Sequence, residues 1–515
     1  MNAFLLKTGR LLLPFCVLAG LVLACDMTTV QTESSTAQGE NTSHFATEAG
    51  MYKPDISTYL PPTRLPGQPA LTPTPDSPHP LPTIRTETVE YYVQSGDTLK
   101  DIGRRFGTSW EQIAAANQIE NPDLISIDQR LVIPPPILKP MATGFKVIPD
   151  SELVNGPVSA FYDHHAFIQN QNGHLYDYQE EVEGFQLTGV EVVDRISRIY
   201  SINPRLLLAL LEYQSGWVTH KSPPADTFED PLQMKTSWRK GLYQQLSWAA
   251  DTLNLGYYLW KINGFSAWAL KDGNIVPANP QINAGTAAVQ YLASQLYGYE
   301  DWLKFVSPEG FHTTYTELFG YPFDYTVHDL LPANLTQPPL QLPFELGVVW
   351  SFTGGPHGGY GDGSAWAALD FAPPGEVLGC VQSDDWVTAM ADGIVTFSNS
   401  GIVILDLDKD SYEQTGWILF YLHIETRDRV AQGKTVKAGE RLGHPSCEGG
   451  VSTGTHIHIA RRYNGEWISA DGALPFVLDG WVSKGSGSVY NGVLEKDGKV
   501  VEAWDERKDE NQIQR

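Results

Sequence analysis

Residues 452–460 read Ser-Thr-Gly-Thr-His-Ile-His-Ile-Ala, and the pair His456 and His458 decides how the C-terminal part of this chain is read. In an extended strand, side chains at i and i+2 project from the same face. Two imidazoles therefore stand side by side over one cleft. An isolated pair of this kind more often faces solvent. Here further candidates lie upstream: His357, Asp370 and His423, each in a glycine-rich or strand-like setting. Neutral imidazole and carboxylate are good zinc ligands.

Outward from this pair, the sequence from about Leu346 turns to short strands and glycine-rich turns. Residues 387–408 (VTAMADGIVTFSNSGIVILDLD) alternate as a hairpin-rich sheet, and 417–424 (WILFYLHI) form a strand ending at His423. Taken with LDFAPPG around Asp370, ADGIV at 391–395 and KAGERLG at 437–443, the set resembles the lysostaphin-type zinc metallopeptidases, which cut peptidoglycan peptides. The resemblance covers most of 345–483 and implies an all-β metallopeptidase domain over 345–503. In the commonest pattern of that family a histidine precedes the aspartate by four residues, where this chain has Trp366. The β-lytic, staphylolysin-like branch sets its first ligand further upstream in a glycine-rich loop, as in GGPHGGYGDGSAWAALDF at 354–371. That resemblance implies zinc ligands His357, Asp370 and His458, with a fourth position open for water. It leaves His423 and His456 to orient the water, stabilise an oxyanion or carry a proton. Tyr490, in GSGSVYNG, would donate its phenol to the oxyanion. His444 reads as structural, near the turn at Cys447. A hairpin at Asp497-Gly498 and a charged, disordered tail over 504–515 complete the expectation.

The opposite end carries Lys7 and Arg10, an apolar run and then Val22-Leu23-Ala24-Cys25. A basic start and a short apolar core describe a secretory signal over 1–24, too short for a comfortable membrane span. The last four residues resemble a bacterial lipobox, which implies lipidation of Cys25. Export leaves Cys380 and Cys447, and an oxidising compartment favours a disulfide between them. Residues 25–88 are rich in Thr, Ser, Pro and Gln and read as a disordered tether. The chain has 515 residues and a formal net charge of -25, which argues against nucleic acid as a partner.

Between these ends lie two further units. Residues 89–135 read as β-α-α-β, with Leu99, Ile102 and Phe106 on one helix face and Gly107-Thr108-Ser109 between the helices. GDTL, FGTS, Asn117, NPDLI and LVIP resemble a LysM domain in register, which implies binding to N-acetylglucosamine-containing glycan; Asp128 stands where that family usually has glycine. Residues 150–340 read as a helical domain, with Asn203 and Pro204 starting one helix. The stretch ISRIYSINPRLLLALLEYQSGW resembles the start of a lytic transglycosylase. Gln214 holds the place of that family's acid, and Glu212 points elsewhere, so the domain reads as non-catalytic. An unrelated helical spacer or an inhibitory pro-region fits nearly as well. The adjacent His164 and His165 read as solvent-exposed.

The chain is thus expected to be multidomain: a small βααβ LysM unit, a mainly helical middle and an all-β metallopeptidase. The expected function is zinc-dependent hydrolysis of peptidoglycan crosslinks by an exported protein, lipid-anchored on the outer face of the cytoplasmic membrane. Bonds beside glycine or another small residue follow from the β-lytic resemblance, and direct crosslinks fit the same chemistry. The alternative is a non-catalytic, peptidoglycan-binding regulator of other wall hydrolases.

Overall fold

The structure is a computed structural model that describes Pro73 and residues 77–515; the signal segment and Cys25 lie outside the described residues. Among the described residues, no helix is long and apolar enough to cross a membrane.

The first unit pairs strands Val89–Tyr92 and Arg130–Ile133 antiparallel, around helices Leu99–Phe106 and Trp110–Asn117. Thr98 and Ser109 cap the helices through their side-chain oxygens. Leu99, Ile102, Ile113, Leu131 and Ile133 form the core. Asn117 earns its place in the motif by bonding both Val132 N and Val132 O, at 2.7 Å each, which locks helix to strand. Asp128 adopts φ +64°, the left-handed conformation that explains the family's glycine there.

The helical region is built on Gly189–Tyr200, Pro204–Ser215, Leu242–Lys261 and Ala284–Leu296. Thr188 and Glu191 form a reciprocal capping box, and Asn203 caps the helix that Pro204 opens. A buried ion pair sits at its centre: Arg205 donates to both oxygens of Glu152, at 3.0 and 2.5 Å, and Tyr315 donates its hydroxyl to the same carboxylate. Glu152→Ala leaves that guanidinium buried and unpaired, so a loss of about 3–5 kcal/mol is expected in denaturant titration. A loss under about 1 kcal/mol would contradict the ion pair.

Most strands of the C-terminal region form one nine-stranded antiparallel sheet. Its order is Thr435–Val436, Gly393–Asn399, Ile402–Asp406, Trp417–Leu422, Ile457–Tyr463, Ala368–Ala372, Val349–His357, Gln512–Gln514, with Glu466–Trp467 paired beside Ile457–Tyr463. Alternation divides its residues between two cores. Val403, Leu405, Leu419, Tyr421, Ile457 and Ile459 face a core internal to this region. Ile402, Ile404, Ile418, Phe420, Leu422, Ala460 and Trp467 share the core of the helical region. Residues 146–333 therefore do not stand apart as a spacer. They cover the sheet face that also carries His458, one residue pair from Ala460.

Two terminal expectations are corrected. The end of the supposed tether is packed: the His79 ring stacks on Trp260 at 4.6 Å, and His79 N donates to Pro280 O. The tail over 504–515 is not disordered. Gln512–Gln514 pairs with Val349–Ser351, Ile513 is buried, and Asn511 Nδ2 donates to Phe352 O at 3.1 Å. The outer strand otherwise exposes a row of backbone groups, and the tail satisfies them. The expected hairpin is present, with Asp497 and Gly498 at φ +49° and +77°, as a tight two-residue turn requires.

Candidate metal centre

The strand register brings the predicted residues together. His458 lies directly opposite Asp370 on one side and Leu422, which precedes His423, on the other. The His357 strand is irregular. Register shifts fall between Phe352 and Gly354 and between Gly354 and His357, which sets His357 opposite Ala368. Such bulges turn a side chain to a face that strict alternation would deny it.

Three atoms form a nearly equilateral triangle. His357 Nε2 is 3.0 Å from His458 Nδ1 and 3.2 Å from Asp370 Oδ1, and His458 Nδ1 is 3.2 Å from the same oxygen. All three residues are buried, and Asp370 Oδ1 has no hydrogen-bond donor. Ligands about 2.0–2.1 Å from a tetrahedral zinc are about 3.3 Å apart. The triangle and its orphan oxygen therefore fit a zinc ion. His456 Nε2 stands 3.8 Å from Asp370 Oδ1, outside the triangle.

Backbone carbonyls fix the tautomers. His357 Nδ1 donates to Gly355 O at 2.8 Å and His458 Nε2 to Gly359 O at 2.9 Å, so the opposite nitrogen of each ring is free toward the triangle. His423 Nδ1 donates to Glu448 O and His456 Nδ1 to Gly454 O, both at 2.8 Å. Their rings lie side by side, centroids 4.4 Å apart. Burial, reinforced by His456 and His458, lowers the pKa of His423 to about 3, so its free Nε2 is a neutral acceptor. Burial likewise lowers His458. For Asp370, burial is outweighed by His357 and His456, which hold the carboxyl well below its usual range. Tyr490 stacks on His357 with centroids 4.3 Å apart. Burial and the Asp370 charge push its phenol up to about 12, which keeps it a donor at neutral pH.

Cys380 and Cys447 are bonded. The bridge joins two loops behind the histidines: Glu448 follows Cys447 and holds His423, while Gly379 O accepts from Thr455 N beside His456. His444 is buried against Trp386 with Nδ1 on Asp385 O, away from the triangle. In the helical region the Glu212 carboxylate accepts from Val218 N, Thr219 N and the Thr219 hydroxyl, a structural role.

Sequence reasoning missed the support of the 358–364 loop. Its Gly359 carbonyl orients His458, and the Trp467 ring lies so close that a Cβ at 359 would meet it at 2.5 Å. Asp251, from helix Leu242–Lys261, accepts from Gly363 N at 2.8 Å, and Tyr360 packs edge-on against Tyr200 at 5.0 Å. The helical region thus reaches the loop behind His458. The glycine run around 358–363 was the available signal; its partner is a hundred residues away in sequence.

Two buried histidines and a carboxylate converge here in an arrangement that fits a metal ion. Comparison with known proteins agrees. Residues 375–470 match the sequence model of peptidase family M23, 91–134 that of the LysM domain, and 146–333 that of the LasA N-terminal domain. The chain therefore carries a LysM domain, a LasA N-terminal domain and an M23 peptidase domain; the LasA model is the affiliation found for the region that resembled a transglycosylase. It is 26% identical over 340 residues to Protease LasA of Pseudomonas aeruginosa (strain UCBPP-PA14), covering 59% of this chain and 75% of that protein. It is 28% identical over 160 residues to the beta-lytic metalloendopeptidase of Achromobacter lyticus, covering 30% of this chain and 40% of the relative. A solved structure of the M23 metalloprotease pseudoalterin, described as from the deep sea, aligns at 25% identity with a TM-score of 0.28, over 36% of this chain and all of that one.

Proposed function

We propose that this protein is an exported zinc endopeptidase that hydrolyses peptide crosslinks of peptidoglycan and is held to its substrate by the LysM domain. The observation that carries this reading is the triangle of His357 Nε2, Asp370 Oδ1 and His458 Nδ1, 3.0–3.2 Å on a side, with His423, His456 and Tyr490 around it. A zinc ion held there supplies a Lewis acid for the scissile carbonyl and acidifies water. His423, neutral and fixed by Glu448 O, takes the proton of the attacking water at Nε2. That proton returns to the leaving amine by way of His456, whose Nδ1 is likewise fixed by Gly454 O, so both rings end neutral as they began. The Tyr490 hydroxyl donates to the carbonyl oxygen as charge develops.

A lipid on Cys25 would hold the chain at the outer face of the cytoplasmic membrane, and the LysM domain raises the local concentration of wall. The names of the two relatives, a protease and a metalloendopeptidase, support peptide hydrolysis. The test is mass spectrometry of new amine termini on purified peptidoglycan, with and without chelator. Both the intact chain and a chain cut between 331 and 339 should be tried, because the helical region covers part of the sheet face. Termini that vanish with chelator and return with zinc are expected. Their absence from both zinc-loaded forms, with binding to the wall retained, would favour the regulatory reading. Tyr490→Phe is expected to lower kcat by about 10²–10³ with little change in KM, the loss of one oxyanion donor. An unchanged kcat would remove the phenol from the mechanism.

A further inference from the structure

A second cluster of metal-binding side chains lies far from the first in sequence, in the helical region. Helix His164–Gln171 begins with Asp163 as its cap, the carboxylate accepting from Ala166 N at 2.9 Å. That leaves the two imidazoles of the first turn. Neighbouring residues on a helix diverge by about 100°, and the sequence reading sent both rings into solvent. His165 is exposed, as expected, and His164 is half-buried; their rings nonetheless lie close, centroids 4.6 Å apart, beside Asp194 on helix Gly189–Tyr200. His164 Nε2 is 3.5 Å from Asp194 Oδ1. One donor atom from each of His164, His165 and Asp194 lies within 4.8 Å of the other two.

Two further observations point to a ligand. His164 Nε2 is buried, and its polar approach is the long one of 3.5 Å to Asp194 Oδ1, with no closer hydrogen bond made. The cluster also opens into a cavity of about 260 Å³, walled by Tyr162 and Pro204 and closed by Glu413 and Gln414 of the peptidase domain. Charge in the cavity is unbalanced. Arg198 pairs with Glu413 and approaches Asp194 Oδ2 at 3.5 Å, so one guanidinium faces two carboxylates, and Oδ1 is left turned toward the histidines.

We propose that His164, His165 and Asp194 hold a second metal ion, a borderline divalent cation such as zinc or nickel, at the seam between the helical region and the peptidase domain. Two imidazoles and one carboxylate suit such ions, whereas calcium and magnesium favour oxygen donors. The ion would offset the excess negative charge and bind helix His164–Gln171 to helix Gly189–Tyr200. Glu413, from the loop after Ile402–Asp406, lies beside it, so occupancy also steadies the seam. This site is independent of the proposed peptidase activity, whose ligands lie on other elements.

The test counts metal on untagged full-length protein, stripped with chelator, reloaded with zinc and desalted. One more equivalent is expected in the native protein than in His164→Gln or Asp194→Asn. His458→Ala should lose a different equivalent and keep this one. Cobalt loading gives a second readout, because the visible band of this site should vanish in His164→Gln and Asp194→Asn and persist in His458→Ala. Circular dichroism of each variant checks the fold. If His164→Gln fails to fold, the His458→Ala protein decides, since it must retain one tightly held equivalent. Equal metal content in native protein, His164→Gln and Asp194→Asn, or none retained by folded His458→Ala, overturns the proposal.

Discussion

Replacing His458 with alanine is expected to abolish peptide hydrolysis while the protein stays folded and bound to peptidoglycan. His458 Nδ1 is one corner of the metal triangle, and its strand lies between those of Asp370 and His423. Without it, two ligands remain, and the Asp370 oxygen loses one of the two nitrogens beside it. Changes to groups that merely orient a ligand cost about 10–100-fold in metal affinity or activity. Removal of the ligand should exceed that range, and metal analysis should show one equivalent lost. His423→Ala is expected to lose activity and keep its metal. Asp251→Ala tests the neighbouring support: it removes the acceptor for Gly363 N, loosens the loop that holds Gly359 O, and should fall within the 10–100-fold range. Asp251→Asn keeps an acceptor and should recover most of the loss. A His458→Ala protein that still cleaves would show that the triangle is not the reacting centre.

Cutting the chain between 331 and 339 is expected to leave the two parts bound to each other. Contacts between domains of one chain usually resemble transient interfaces, but here the core is shared. Ile402, Ile404, Ile418, Phe420, Leu422 and Trp467 of the sheet lie in one cluster with the helical core. Full burial of such side chains is worth about 1.5–3 kcal/mol each, so even half of that total rivals the stability of a domain, about 5–15 kcal/mol. Polar contacts fix the orientation: Ser201 Oγ donates to Gly465 O at 2.6 Å, Trp467 N donates to the Tyr258 hydroxyl at 2.8 Å, and Arg462 donates to Arg198 O at 2.9 Å. Size-exclusion chromatography of the cut protein should give one peak, resolving into two only in denaturant. Two peaks in buffer would mean that the shared core contributes little.

The parts legible in the sequence are those in which local pattern and chemistry coincide. The βααβ unit declared itself through its caps and turn residues, and HIHI and LDFA announced a histidine pair and an aspartate on strands. His357 could be reached only by resemblance, because strand periodicity cannot place a side chain beyond two bulges. The tail looked disordered because charge dominates 505–510, yet Asn511 and Ile513 satisfy an edge that local sequence does not reveal. The coverage of the sheet by the helical region was likewise hidden. Alternating apolar residues on both faces of Trp417–Leu422 and Ile402–Asp406 do indicate burial on two sides, but they do not say what covers the second side.

His423 adopts φ +72°, a left-handed conformation that a side chain with a Cβ enters at a cost of about 1–2 kcal/mol and glycine enters freely. Drift in this position is therefore not neutral with respect to folding. His423→Gly would relieve that strain, but it would also empty a buried site and orphan Glu448 O, which costs more than the strain returns. The imidazole is thus kept in a strained backbone by its own burial and its bond to Glu448 O, so the fold itself, and not turnover alone, opposes its loss.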